Sequence, residues 1–130
     1  MSTYKALRIP YDRSKPVEEV AYNEDNIHSL AELVFQNTDI APADGTIDVA
    51  TFRSSRTQLA YDDNGLYTQP NNINSRAMAL WAVMSGRHIE DFVVPLVGDY
   101  VVIGLNPASG DSEDVSDHIR GLFAELKVSK

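Results

Sequence analysis

The sequence predicts an α+β fold, a single small domain with a mostly antiparallel sheet and about three helices. Three observations predict it. Short runs such as Lys5-Ala6-Leu7-Arg8-Ile9 and Tyr100-Val101-Val102-Ile103 have the alternating or continuously apolar character of strands. Two longer stretches place apolar residues at helical spacing instead. A chain of 130 residues, 43% hydrophobic and 23% charged, has the size and composition of one globular domain spanning 1–130.

The elements follow in order. Residues 5–9 alternate polar and apolar side chains, the period of a half-buried strand, and Pro10 ends it. A polar turn with Asp12, Ser14 and Pro16 leads to a second strand over 17–22. Asn23 is placed to N-cap a helix with Glu24 and Asp25 in its first turn, where carboxylates favour the dipole. Ile27, Leu30, Ala31 and Val34 give that helix one apolar stripe, ending near Gln36 and Asn37. Turn-like composition over 39–45 precedes strands over 46–52 and 57–61. Asp62-Asp63-Asn64-Gly65 then contains the Asn-Gly pair that favours a tight hairpin, so Leu66-Tyr67-Thr68 is expected as the returning strand.

Pro70-Asn71-Asn72-Ile73-Asn74 leads into the clearest helix. Ile73, Ala77, Leu80, Trp81 and Met84 form its stripe, Asn74 its N-cap and Gly86 its terminating residue, which places Trp81 in the core. Residues 92–97 are apolar but broken by Pro95, a loop edge or short strand that leaves apolar side chains incompletely covered. Gly98-Asp99 forms a turn before a central strand over 100–105, buried on both faces. After a turn over 106–110, a last helix is expected to start at Asp111 or Ser112. Glu113 and Asp114 occupy its first turn, and Val115, Ile119, Leu122, Phe123 and Leu126 form its stripe.

Charge narrows the function classes. The chain carries 19 acids against 11 Lys and Arg, a net charge of −8. Direct nucleic-acid binding, which depends on neutralising phosphates, is disfavoured. The absence of cysteine removes disulfides, thiolate nucleophiles and cysteine metal sites. No apolar run approaches the roughly 20 residues of a membrane span, and residues 1–11 lack the apolar core of a signal peptide. No membrane association and a cytoplasmic location are expected.

Chemistry is sparse. His28, His88 and His118 sit at no metal-ligand spacing, and the adjacent acid pairs point to different sides of their elements. Nucleophile-elbow, P-loop and dinucleotide-binding signatures are missing. No catalytic residue, cofactor or metal is expected. Two groups remain as candidates for binding. Asp111, Glu113, Asp114 and Asp117 form the densest acidic segment, either a solvated helix start or a contact surface for a basic protein. Asn72, Asn74 and Arg76 mark a loop beside which a pocket would lie. Arg76 in a first helical turn opposes the dipole, so Asp62, Asp63 or Asp99 is expected to hold it, with an anionic ligand as the alternative.

Four segments carry a resemblance: Lys5-Ala6-Leu7-Arg8-Ile9-Pro10, Leu59-Ala60-Tyr61-Asp62-Asp63-Asn64-Gly65-Leu66, Pro70 with Asn74-Ser75-Arg76-Ala77-Met78-Ala79-Leu80, and Gly98-Asp99-Tyr100-Val101-Val102-Ile103-Gly104. Together they resemble a domain-of-unknown-function family of small phage and actinobacterial proteins. The resemblance implies a phage or prophage product working in a bacterial host, and supplies no catalytic residues to carry over. Residues 37–47 are longer and richer in proline than the family's link between first helix and hairpin.

The expected function is a non-enzymatic, phage-type accessory protein that binds and modulates a host or phage protein. One alternative is an acidic nucleic-acid mimic that inhibits a DNA-binding enzyme. The other is a small-molecule-binding or unrecognised enzymatic domain, which a concave pocket with convergent polar groups would favour.

Overall fold

The computed structural model describes residues 3–26 and 28–123. Its centre is strand β5 (Tyr100–Leu105), buried along its whole length because neighbours flank it on both edges and helices cover both faces. Strands β1 (Thr3–Ile9), β2 (Glu18–Asn23), β3 (Ile47–Phe52) and β4 (Thr57–Asp62) complete the order β2-β1-β5-β4-β3. All of these pairings are antiparallel. Leu7 and Leu59 both lie opposite Val102, one on each side of β5. Strand β6 (Ser112–Glu113) pairs with Gly104 and Leu105, past Val102, where the β1–β5 pairing ends.

Strand alternation sends side chains to two separate cores. Leu7, Ile9, Leu59, Tyr100 and Val102 face α3 (Ser75–Ser85) and α4 (Asp117–Arg120), which contribute Ala77, Leu80 and Ile119. Ala6, Ala60, Val101 and Ile103 face α1 (Ser29–Phe35), which contributes Ala31, Val34 and Phe35. A single-turn helix, α2 (Gly65–Thr68), follows β4. Burying each large apolar side chain stabilises the fold by roughly 1.5–3 kcal/mol, and the sheet is the only layer common to both cores.

The α+β architecture and most strands match the sequence reading, while several elements differ. Residues 6–9 are all buried, not half-buried, since β1 is an interior strand. Arg8 is tolerated there because its guanidinium donates to Gln36 Oε1 and Glu18 Oε1. Asn23 ends β2 instead of capping a helix. Its side-chain oxygen accepts from Asp25 N in a local turn, and α1 begins only at Ser29. Ile27 lies outside the described residues.

The expected hairpin after Asp62 is absent. Strand β4 already has β3 and β5 on its two edges, so no returning strand can pair with it. The chain winds instead around the buried Asp62 carboxylate, which accepts from Asn64 N, Thr68 Oγ1 and Gln69 Nε2. Gly65 accordingly keeps a negative φ.

The last helix also starts later than its apolar spacing predicts. Residues 112–115 are drawn into the sheet, through β6 on β5 and Val115 N donating to Lys5 O at 2.9 Å. Gly104 admits this segment: a Cβ there would lie 2.4 Å from Asp114 O. Helix α4 then begins at Asp117, capped by Ser116, whose hydroxyl accepts from Ile119 N. Val115 and Ile119 are buried as the stripe requires, Leu122 is exposed, and Leu126 lies outside the described residues.

Helix α3 runs as expected, with Asn74 Oδ1 accepting from Ala77 N at 2.9 Å and Gly86 terminating it at φ 70°. Ile73, however, is exposed and bridges Val97 in the loop. Trp81 is only half-buried, at the rim of the core, edge-on to Phe52 and Phe92.

Candidate functional site

One end of the sheet gathers the polar chemistry. There β1 and β4 end and β5 begins, because Ile9 lies opposite Tyr100 and Ala60 opposite Val101. Three buried side chains organise the connecting loops. Asn74 donates through Nδ2 to Ile9 O and Gly98 O, both at 2.9 Å, besides capping α3. Asp99 accepts from Tyr11 N and from Asn37 Nδ2, each at 2.9 Å. Asp62 holds α2 and Gln69, whose Oε1 accepts from Asn72 Nδ2 at 3.1 Å. Gly98, at φ 80°, lets the backbone pass against the Gln69 amide, which a Cβ would meet at 2.6 Å.

Two recesses open at this end, on either side of the Asp62–Gln69 bond. The first is a polar cleft of about 280 Å³ lined by Tyr11, Asn37, Asp39, Thr68, Gln69 and Asn72. The second is an apolar groove of about 180 Å³, with Tyr61, Asp63, Leu66, Val94, Leu96 and Tyr100 among its walls. Tyr61 stacks on Tyr100 with ring centroids 5.0 Å apart and donates its hydroxyl to Asp48 Oδ2 at 2.9 Å. Burial pushes the Tyr61 hydroxyl up to about 12, helped by the Asp48 hydrogen bond and the charges of Asp48 and Asp63. Burial also raises Tyr100, with Tyr61, Asp48 and Asp62 adding to it. The groove has open apolar walls at Leu66, 50% exposed, and Val94, 47%, and their chain neighbours Tyr67 and Val93 are exposed at 90% and 97%.

The sequence-selected residues are dispersed. Asn72 lines the polar cleft, whereas Asn74 is fully buried and structural. Arg76 points elsewhere, its Nη2 donating to the carbonyls of Pro10, Asp12 and Lys15. Asp62, Asp63 and Asp99 do not hold it, because the turn after β1 brings carbonyl oxygens to the start of α3 first. Of the acidic group only Asp117 stands at a helix start, that of α4. Asp111 is an exposed residue of the link between β5 and β6, Glu113 in β6 receives a two-pronged bond from Arg56 at 3.0 and 3.1 Å, and Asp114 accepts from Lys5 N at 2.8 Å. Asp117 is exposed, 3.8 Å from Arg120. Of the groove, the sequence signalled only the uncovered apolar run over 92–96. Tyr61 carries no local pattern, and strand pairing alone sets it in the groove with Asp48 on its hydroxyl.

Among the described residues no cluster of three His, Asp or Glu side chains is arranged to hold a metal ion. No helix among them is long and apolar enough to cross a membrane. No family model matches the chain, and no curated protein matches it. Among solved structures the chain is similar to the small RNA methyltransferase HEN1, at 18% identity and a TM-score of 0.47. The match covers 89% of this chain and 15% of that one, a likeness that carries no argument about activity.

Proposed function

We propose that the protein is a non-enzymatic, phage-type accessory module that acts in the bacterial cytoplasm by binding and modulating a host or phage protein. The observation that supports this reading is the exposed apolar surface of Leu66 and Val94 in the groove, with their chain neighbours Tyr67 and Val93 exposed as well. Side chains of this size are left in water together where another surface covers them. A photo-crosslinking residue in place of Tyr67 is expected to trap one protein from host lysate. Adding Val93→Asp and Val94→Asp should abolish the trapping while leaving circular dichroism unchanged. Trapping that persists with both changes removes this face from consideration.

The polar cleft supports a second reading, a small-molecule-binding domain, since the amides of Asn37, Gln69 and Asn72 converge there beside Tyr11. Polar metabolites screened by NMR would shift the side-chain amide resonances of Asn37 and Asn72; no shift from any of them counts against it. The nucleic-acid-mimic alternative asks for carboxylates free to stand in for phosphates, whereas Glu113 and Asp114 are bound within the fold.

A further inference from the structure

The groove is distinctive in its charge. Its walls come from two segments, 61–66 and 94–100, and both lie in stretches without basic residues. No Lys or Arg occurs between Arg56 and Arg76, or between Arg87 and Arg120. Strand β3, paired with β4, places Asp48 on the Tyr61 hydroxyl at the groove's side and lies in a third such stretch, between Lys15 and Arg53. Some acids elsewhere are ion-paired, Glu18 with Arg8, Glu19 and Asp117 with Arg120, and Glu113 with Arg56. Asp48, Asp62 and Asp63 form no ion pair among the described residues. Burial is the first cause of the raised Tyr61 hydroxyl, and the Asp48 hydrogen bond and the charges of Asp48 and Asp63 add to it. A purely apolar occupant would cover these carboxylates without compensating them, which is costly.

An occupant that satisfies both the apolar walls and the carboxylates has an aliphatic stem and a cationic head. Resting on the docking reading above, we propose that the groove receives a lysine or arginine side chain of the protein partner, flanked by an apolar residue. The stem lies along Tyr61, Pro95 and Leu96, and the head is compensated by Asp63 and Asp48. The neighbouring apolar residue covers Leu66 and Val94. Complementarity of this kind sets specificity as well as association rate.

Short random peptides displayed on phage and selected on the intact protein at low salt test this. Enriched peptides are expected to carry Lys or Arg next to a large apolar residue. A synthetic copy of one should perturb amide resonances of residues 61–66 and 94–97. It should lose about tenfold in affinity to Asp63→Asn, and more to Asp48→Asn with Asp63→Asn, while Asp117→Asn leaves binding unchanged. Asp63 is exposed and makes no side-chain hydrogen bond among the described residues, so the single variant keeps the fold intact. Peptides that map to the groove but lack basic residues, or ignore Asp63→Asn, overturn the basic-side-chain inference and leave the docking reading standing. Peptides that map elsewhere, or no enrichment at all, overturn both.

Discussion

Asn74 offers two donors and a carbonyl oxygen, and the fold uses both donors and the oxygen. Asn74→Ala therefore removes a cap, at about 1 kcal/mol, and orphans two buried carbonyls at about 1 kcal/mol or more each. A loss of about 3 kcal/mol in urea denaturation is expected. Asn74→Asp keeps the acceptor for Ala77 N but sets a carboxylate against two carbonyls, so it should not rescue. The cap was legible in the sequence because capping is a local matter of an Asn before a helix. Its two long-range bonds reach residues 65 and 24 positions away, and the carbonyls that hold Arg76 lie 61 to 66 positions away, so neither leaves a local trace. Tyr61 gives a pH prediction at the same scale. Its hydroxyl is raised from 10.0 to about 12, so an unfolded chain releases that proton first. The stabilisation is fully present below pH 10 and is lost as pH rises through the folded value. Stability should fall over that window, and Tyr61→Phe should flatten the fall; a variant with the same profile as the parent would contradict the assignment.

Elements were readable where the signal is carried by the strand or helix itself, and unreadable where a neighbour decides. Strand β5 shows its burial in six successive residues, and α3 carries its stripe and both termini. Residues 112–115 have helical spacing yet become β6 and its extension, because open backbone on β5 and at Lys5 offers hydrogen bonds that a free helix start would leave to water. The hairpin signal at Asn64-Gly65 fails for the converse reason, that β4 has no edge left to pair. Gly104→Ala isolates the first case. Its Cβ would press on the carbonyls of Glu113 and Asp114, and backbone cannot rotate out of the way. A destabilisation of about 1–3 kcal/mol is expected, with faster amide exchange at Val115, whose bond to Lys5 O depends on that close approach. Unchanged exchange at Val115 would show that β6 accommodates the methyl group.

At the scale of the molecule, two cores share one sheet, so neither face should unfold alone. Phe35→Ala on the α1 face is expected to cost about 3–5 kcal/mol, since that ring is fully buried. Trp81 sits on the opposite face and should report the same transition. Its fluorescence and the far-ultraviolet circular dichroism should change together in denaturant. A Trp81 signal that outlasts the loss of circular dichroism would separate the two faces. The pairing of Leu7 with Val102 has a further consequence, in time. A ribosome adding about 5–20 residues per second makes β1 wait on the order of 5–20 s for β5. Until then β1 has only β2 beside it, and a two-stranded ribbon is marginal in water. The nascent chain thus carries an unclosed apolar edge until β5 is made, and emergence of β5 is the event that ends its exposure to chaperones and proteases.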